Sequence, residues 1–420
     1  MFYVARHGFS PQKRLLWLRW QRQVRNGCSK GTDVGRNRVE LSTNHCTWPS
    51  TPQQNLERRC IRLKVLLDRL RLPAITHFQA FGKDHELPVL ADPKQQLREL
   101  FDNELSYLAG FFDGDGCVTP AQKLSGCTLS VSQSSHHAEA LLLFRQAFGG
   151  SITMERPGQG SRKPTIAWRV CGRSARRAAA TLSRSSLLKH SQLQIASDWP
   201  SCPSKREESA VTLKMMKATP KCSHLSCSWS YVAGFFDAEG YISVPPDQLG
   251  IRLGIPQKHP GILHIVHAFL KAEGILAIMY HEHSRHVSRL MVLRVPALRL
   301  MLTRMLAAGM HVKRKSAEVA LAITPGRHAE SRRHLAALAG NQGRYARLDS
   351  EGCQRSSAIV RMGQRSCYHA SHGRHNVSEL LEKQLLELRR EHALCNANTR
   401  VHRLRADIRS LLQLGASLVM

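Results

Sequence analysis

Leu105-Ser-Tyr-Leu-Ala-Gly-Phe-Phe-Asp-Gly-Asp-Gly116 recurs as Trp229-Ser-Tyr-Val-Ala-Gly-Phe-Phe-Asp-Ala-Glu-Gly240, without gaps, at an offset of 124 residues. Each segment opens with aromatic and aliphatic residues spaced for a helix and closes in a Gly-rich acidic turn. The centre of each is small, Ala109-Gly110 and Ala233-Gly234, although glycine inside a helix costs about 1 kcal/mol relative to alanine. Small residues at matching points let two helix backbones approach closely, so these four form the predicted helix interface. Just beyond each helix comes a carboxylate, Asp115 and Glu239. Side-by-side helices would bring these acids together, and adjacent carboxylates repel unless a divalent cation lies between them.

The offset holds well beyond the motif. Cys117–Pro120 and Thr128–Gln133 read as two strands around a polar turn, and Tyr241–Val244 and Ile251–Gln257 repeat them; Gln133 and Gln257 are 124 apart. A helix follows in each copy, Ala138 to Phe148 and Ile262 to Ala272, then a hairpin, Ile152 to Val170 and Ile275 to Val295. Helical stretches close each unit, and there Leu188-Lys189 matches Val312-Lys313. The expectation is an α+β chain with tandem αββαββα units in pseudo-twofold symmetry, each about 100 residues and so of domain size. The boundaries read as a basic N-terminal extension (1–99), a first unit (100–200), a linker (201–225), a second unit (226–325), and a flexible basic segment with a C-terminal helix (326–420).

Leu108-Ala-Gly-Phe-Phe-Asp-Gly-Asp-Gly116 and Val232-Ala-Gly-Phe-Phe-Asp-Ala-Glu-Gly240 closely resemble the motif of the LAGLIDADG homing endonucleases. Val232 stands where leucine is usual, a conservative change on an apolar face. The resemblance covers about residues 100–325. It implies a single-chain, two-motif enzyme whose motif helices form the interface between the halves, with two antiparallel sheets making a saddle along the DNA major groove. It further implies that Asp115 and Glu239 bridge metal, that the carbonyls of Gly114 and Ala238 add ligands, and that Gln133 and Gln257 position water. Lys189 and Lys313 would lie near the scissile phosphate.

The chemistry required of such a site agrees. In phosphodiester hydrolysis water attacks in line while charge builds on the phosphoryl oxygens, and divalent ions between carboxylates and phosphate stabilise that charge. An oxygen-rich site suits Mg²⁺, with Mn²⁺ as a substitute. Asp113 and Asp237, two residues earlier, read as structural acceptors for turn amides rather than ligands. Base readout falls to strand residues, since Arg and Lys favour guanine and Gln and Asn favour adenine. The candidates are Gln122, Lys123, Ser130, Ser132 and Arg169 in the first half, and Arg252, Lys258, Arg285 and Arg289 in the second.

Composition points the same way. Sixty-one Lys and Arg against 31 Asp and Glu leave a formal charge of +30, a field that concentrates on polyanions. The expected partner is double-stranded DNA with a long, pseudo-palindromic or asymmetric site, bound by a monomer. The expected function is a site-specific endonuclease that promotes intron homing. Two alternatives share the fold: a maturase bound to group I intron RNA, and a catalytically silent DNA-binding protein. Decay normally removes an acid first, and both remain. No run of about 18 apolar residues exists, so no membrane span is expected.

The twelve cysteines are scattered and read as reduced thiols. Cys202, Cys222 and Cys227 with His224 have irregular spacing for zinc, and the site is disfavoured. Residues 1–32 hold seven Lys and Arg and no acid. They read as a basic arm or reading-frame extension before an organellar targeting segment; the expected compartment is an organelle, chloroplast before mitochondrion. Residues 60–72 are a basic amphipathic helix candidate, 325–375 read as flexible, and 378–413 show helical periodicity.

Overall fold

The computed structural model describes residues 51–419 apart from 93, 95, 122–124, 244–250, 340 and 342. The basic segment 1–32 and the turn residues Gln122 and Lys123 lie outside the described residues.

Each repeat folds as read. In the first, α2 (Asp102–Asp115) leads into β4 (Gly116–Pro120) and β5 (Cys127–Ser134), then α3 (Glu139–Phe148), β6 (Ser151–Arg156), β7 (Thr165–Val170), α4 (Gly172–Ser183) and α5 (His190–Ser197). The second runs α7 (Trp229–Glu239), β8 (Tyr241–Ser243), β9 (Arg252–Gln257), α8 (Pro260–Ala272), β10 (Ile278–Glu282), β11 (Val287–Val292), α9 (Val295–Ala307) and α10 (Arg314–Leu321). The two four-stranded antiparallel sheets have equivalent orders, β4-β5-β7-β6 and β8-β9-β11-β10. α6 (Pro203–Ala218) makes most of the expected linker helical.

Alternation sorts each sheet into two faces. Leu129, Val131, Ile166 and Trp168 are buried against the helices, as are Leu253, Ile255, Leu290 and Val292 in the second half. Trp168 lies tilted against Phe144 with ring centroids 4.9 Å apart, and its indole donates to the Gly149 carbonyl at 2.7 Å, so the ring is buried without an orphaned N–H. Burying a side chain of that size contributes about 1.5–3 kcal/mol. The motif helices carry the core between the halves. Leu108, Ala109, Phe111 and Phe112 are buried in α2, and Val232, Ala233, Phe235 and Phe236 in α7.

The flanks depart from the sequence reading. α1 (Pro52–Arg69) is followed by the short β1 (Leu70–Arg71) and the hairpin β2 (His77–Ala80) and β3 (Lys83–Glu86). Phe78 and Ala80 are buried in the main core, and Ala138 N–H donates to the Gln79 carbonyl at 3.1 Å, so the first folded body begins well before residue 100. At the other end, the stretch expected to be flexible holds α11 (His328–Leu338) and α12 (Ser350–Ser371), followed by the 39-residue α13 (His375–Gln413). Small buried residues Gly352, Gly363 and Ser366 let α12 lie close along α13, a pattern that polar composition hides. α1 packs on α13 around a separate core of Leu67, Leu70, Val401, Leu404 and Ile408. The resulting helical module grips the β6–β7 loop: Leu72 N–H donates to Gly158 O, and Gly160 N–H to Leu70 O, both at 2.8 Å.

Candidate active site

α2 and α7 pack backbone to backbone. A Cβ added at Gly110 would overlap the Tyr231 carbonyl, and one at Gly234 would overlap the Tyr107 carbonyl. Gly110 and Gly234 are there for close approach, and Ala109 and Ala233 beside them are fully buried. Asp115 and Glu239 are the last residues of their helices. Burial pushes both carboxyls above their ordinary pKa, and for Glu239 the charge of Asp115 adds to the shift. Each acid therefore sits in a place that disfavours its own charge, most simply relieved by a cation.

The repeated glutamines and lysines converge on these acids. Gln133 Nε2 donates to Asp115 Oδ2 at 2.5 Å, and Gln257 Nε2 to Glu239 Oε1 at 2.9 Å. Each glutamine is in phase with the core-facing residues of its strand, which turns it toward the helix end rather than the outer face. Lys189 Nζ donates to the carbonyls of Phe112, Gly114 and Gly116 at 2.8, 3.1 and 2.6 Å. Lys313 Nζ does the same to Phe236 at 3.0 Å, Asp237, and Ala238 at 3.4 Å. Both ammonium groups thus cap the negative end of a motif helix. Burial holds the pKa of both below the ordinary lysine value, opposed by Asp113 and Asp115 at Lys189 and by Asp237 and Asp115 at Lys313. The carbonyls of Gly114 and Ala238, expected as ligands from the resemblance, are engaged by these lysines and keep one lone pair each.

Asp113 and Asp237 are 1 % exposed and accept from amides far along the chain. Asp113 takes Leu187, Leu188 and Lys189 N–H at 2.7–3.0 Å and the Ser186 hydroxyl at 2.6 Å. Asp237 takes His311, Val312 and Lys313 N–H at 2.7–2.9 Å. Each caps the turn that begins its lysine's helix, and so places that lysine. These amides lie about 75 residues away rather than in the helix-ending turn. Tyr107 and Tyr231, to which the sequence reading assigned no role, complete both acceptors across the interface. Their only advance signal was their own 124-residue spacing.

The base-readout candidates divide. Ser130 pairs with Arg169 on neighbouring strands, and Ser132 shares their outward face. Arg252 and Arg289 share the corresponding outward face of the second sheet through their partners Ser243 and Pro256. Arg169 lies 3.6 Å from Glu155, and Arg289 lies 2.9 Å from Glu282. Lys258 is exposed beyond β9, and Arg285 is exposed in the β10–β11 turn, 3.5 Å from Glu282. Among the described residues no cluster of three or more His, Cys, Asp or Glu could hold a metal ion, so Cys202, Cys222, Cys227 and His224 form no such centre. All described cysteines are free thiols. No described helix is long and apolar enough to cross a membrane.

No family model matches the chain, and no curated protein is similar enough to match. Among solved structures, the chain is similar to I-SmaMI bound to uncleaved DNA target in the presence of calcium ions, with a TM-score of 0.43 and 12% identity over 58% of this chain and 99% of that one. It is similar to the LAGLIDADG homing endonuclease I-GzeII in complex with DNA target, at 0.42 and 11% over 56% of this chain and 96% of that one. The LAGLIDADG meganuclease I-CpaMI bound to uncleaved DNA gives 0.41 and 13% over 57% and 98%.

Proposed function

We propose that this chain is a homing endonuclease of the LAGLIDADG type, which cuts double-stranded DNA at a specific long site and promotes intron homing. One observation carries the proposal: two desolvated carboxylates, Asp115 and Glu239, stand at the ends of helices packed through Gly110 and Gly234. Such a pair is costly to fold around and has no evident structural role.

The donors fit a hard divalent cation, because carboxylate and carbonyl oxygens predominate and each acid is destabilised as an anion. Asp115 and Glu239 would hold Mg²⁺, or Mn²⁺ in its place, with the free lone pairs of Gly114 and Ala238 as further donors. When bound, such ions activate water and offset charge on the phosphoryl oxygens. The chain's own residues do the rest. Gln133 and Gln257 fix the orientation of each carboxylate and leave an amide oxygen to hold a water. Lys189 and Lys313, fixed on helix carbonyls, keep positive charge beside the acids where phosphate would lie. One chain supplies both halves, so a monomer suffices. The compartment we propose is an organelle, the chloroplast before the mitochondrion.

The test uses purified protein, Mg²⁺ and DNA spanning the uninterrupted host gene. One pair of fragments should form with wild type and none with Asp115→Asn or Glu239→Gln, while both variants keep DNA affinity within about tenfold. Normal double-strand cleavage by either variant overturns the assignment. Splicing assistance to intron RNA without any DNA cleavage by wild type would replace it with the maturase reading.

A further inference from the structure

A cleft of about 1670 Å³ lies between the two halves and the helical module. Ala238 to Ser243, with Glu239 among them, line one side, and α11 and α12 line the other. Small-molecule sites usually span about 300–1,000 Å³, so the cleft is sized for part of a polymer. Eight Lys and Arg line it against three carboxylates. One of those, Asp349, is committed to capping α12 through Gly352 N–H at 2.7 Å, and Glu239 belongs to the candidate active site. On the module's wall stand Arg332, Arg333 and Arg361; Lys163 and Lys315 face the cleft from the two halves. Arg333 and Arg361 are exposed, and Arg332 beside them is half-buried.

The module's own core shows why these arginines are not structural filler. α1 and α13 are joined by Leu67, Leu70, Val401, Leu404 and Ile408, and the loop before α12 is tied to α13 by Arg344, which meets Asp407 twice at 2.8 Å. Arg332, Arg333 and Arg361 take part in none of this. The module also has no counterpart on the other side of the pseudo-twofold among the described residues, whereas the sheets and motifs are paired.

We propose that the helical module is a second DNA-contacting surface. It grips the phosphate backbone of the duplex through Arg332, Arg333 and Arg361, on one side of the cleavage position only. This rests on the endonuclease reading for the position of the DNA, but not for the charge of the cleft. Each neutralised phosphate contributes about 0.9 to the slope of log affinity against log salt. Losing three contacts should therefore lower that slope by about 2–3.

The experiment measures binding of the full chain to a mixed-sequence 40-base-pair DNA duplex, by fluorescence anisotropy, across a KCl series in EDTA. Arg332→Ala/Arg333→Ala/Arg361→Ala should lose that part of the slope, with affinity at physiological salt falling about tenfold or more. The matching triple Lys variant should recover the slope, because a point charge still releases counterions. Should the triple Ala variant melt early, Arg361→Glu, exposed and at the cleft, carries the test and should lower the slope by at least one contact. An unchanged slope in a folded variant overturns the proposal while leaving the endonuclease reading intact. A loss seen with single-stranded RNA but not with the duplex overturns it in favour of an RNA surface. Failure of the wild type to bind the duplex at all overturns both.

Discussion

The hydroxyl of Tyr107 donates to Asp237 at 2.8 Å, and that of Tyr231 donates to Asp113 at 2.6 Å. Each motif helix thereby reaches across the pseudo-twofold to the aspartate that places the other half's lysine. The interface and the candidate site are one network: helix contact, aspartate, capped turn, lysine, and then the carbonyls at the helix end.

Removing one hydroxyl tests that network. Tyr107→Phe leaves the buried Asp237 with only its three amides, and hydrogen bonds to charged groups contribute about 1.5–3 kcal/mol. Urea denaturation should show a loss of that size, and the same for Tyr231→Phe. Cleavage should fall with stability, because the turn holding Lys313 loosens. A loss below about 0.5 kcal/mol for both variants would mean that the hydroxyls are dispensable.

Close approach at the interface gives a second expectation. Gly234→Ala places a methyl against the Tyr107 carbonyl, whereas a methyl at Gly126 meets nothing within 4 Å. Overpacking typically costs about 1–3 kcal/mol. Gly234→Ala should therefore lower the melting temperature and the cleavage rate together, and Gly126→Ala should change neither. Equal stability of the two variants would show that the helices are farther apart than described.

Divalent metal should stabilise the protein by mass action, since a ligand bound only to the folded state at a hundred times its Kd adds about 2.7 kcal/mol. In EDTA near neutral pH, Glu239→Gln should be more heat-stable than wild type, because it removes a carboxylate whose charge burial and Asp115 disfavour. The same variant should lose the melting shift that Mg²⁺ gives wild type. A variant less stable in EDTA and still shifted by Mg²⁺ would count against Glu239 as a ligand.

His311 gives a pH signature of known sign. Its ring packs edge-on against Tyr107 at 5.0 Å and Phe81 at 5.8 Å, and burial lowers its pKa from 6.5 even though Asp237 opposes the shift. Arg314 adds to the lowering and Glu104 opposes it. The unfolded chain then binds the proton more readily, so this group's contribution is full above 6.5 and is lost as pH falls through the depressed folded value. Wild-type melting temperature should drop on the acid side, and His311→Phe should drop less. Parallel curves for the two proteins from about pH 7 to 5 would remove His311 as the cause.

Much of the tandem α+β body was legible because it is written twice. A repeat at 124 residues exposes positions whose role one copy would hide: a lone Gln133 or Lys189 has no signal, whereas the pairs with Gln257 and Lys313 do. Alternating apolar residues set the strand faces, and the structure places Ser130, Arg169, Arg252 and Arg289 on the outward ones. The flanks were less legible, since α11 and α12 are rich in Arg and Ser and pack through small residues that resemble those of a loop.

By itself the sequence determined the tandem α+β architecture, the backbone-close helix pair, and which acids, glutamines and lysines recur in register. Those features depend on local period and on residues repeated in register, which one dimension can carry. Only the tertiary structure decided what Asp113, Asp237, Tyr107 and Tyr231 do, because their partners lie 73 to 130 residues away. It alone placed Phe78 in the first half's core and brought α1 against α13, from opposite ends of the chain, beside the cleft that holds Glu239. Hydrogen bonds and apolar contacts between distant segments are set by which segments meet, and local periodicity marks a buried face without naming the segment that covers it.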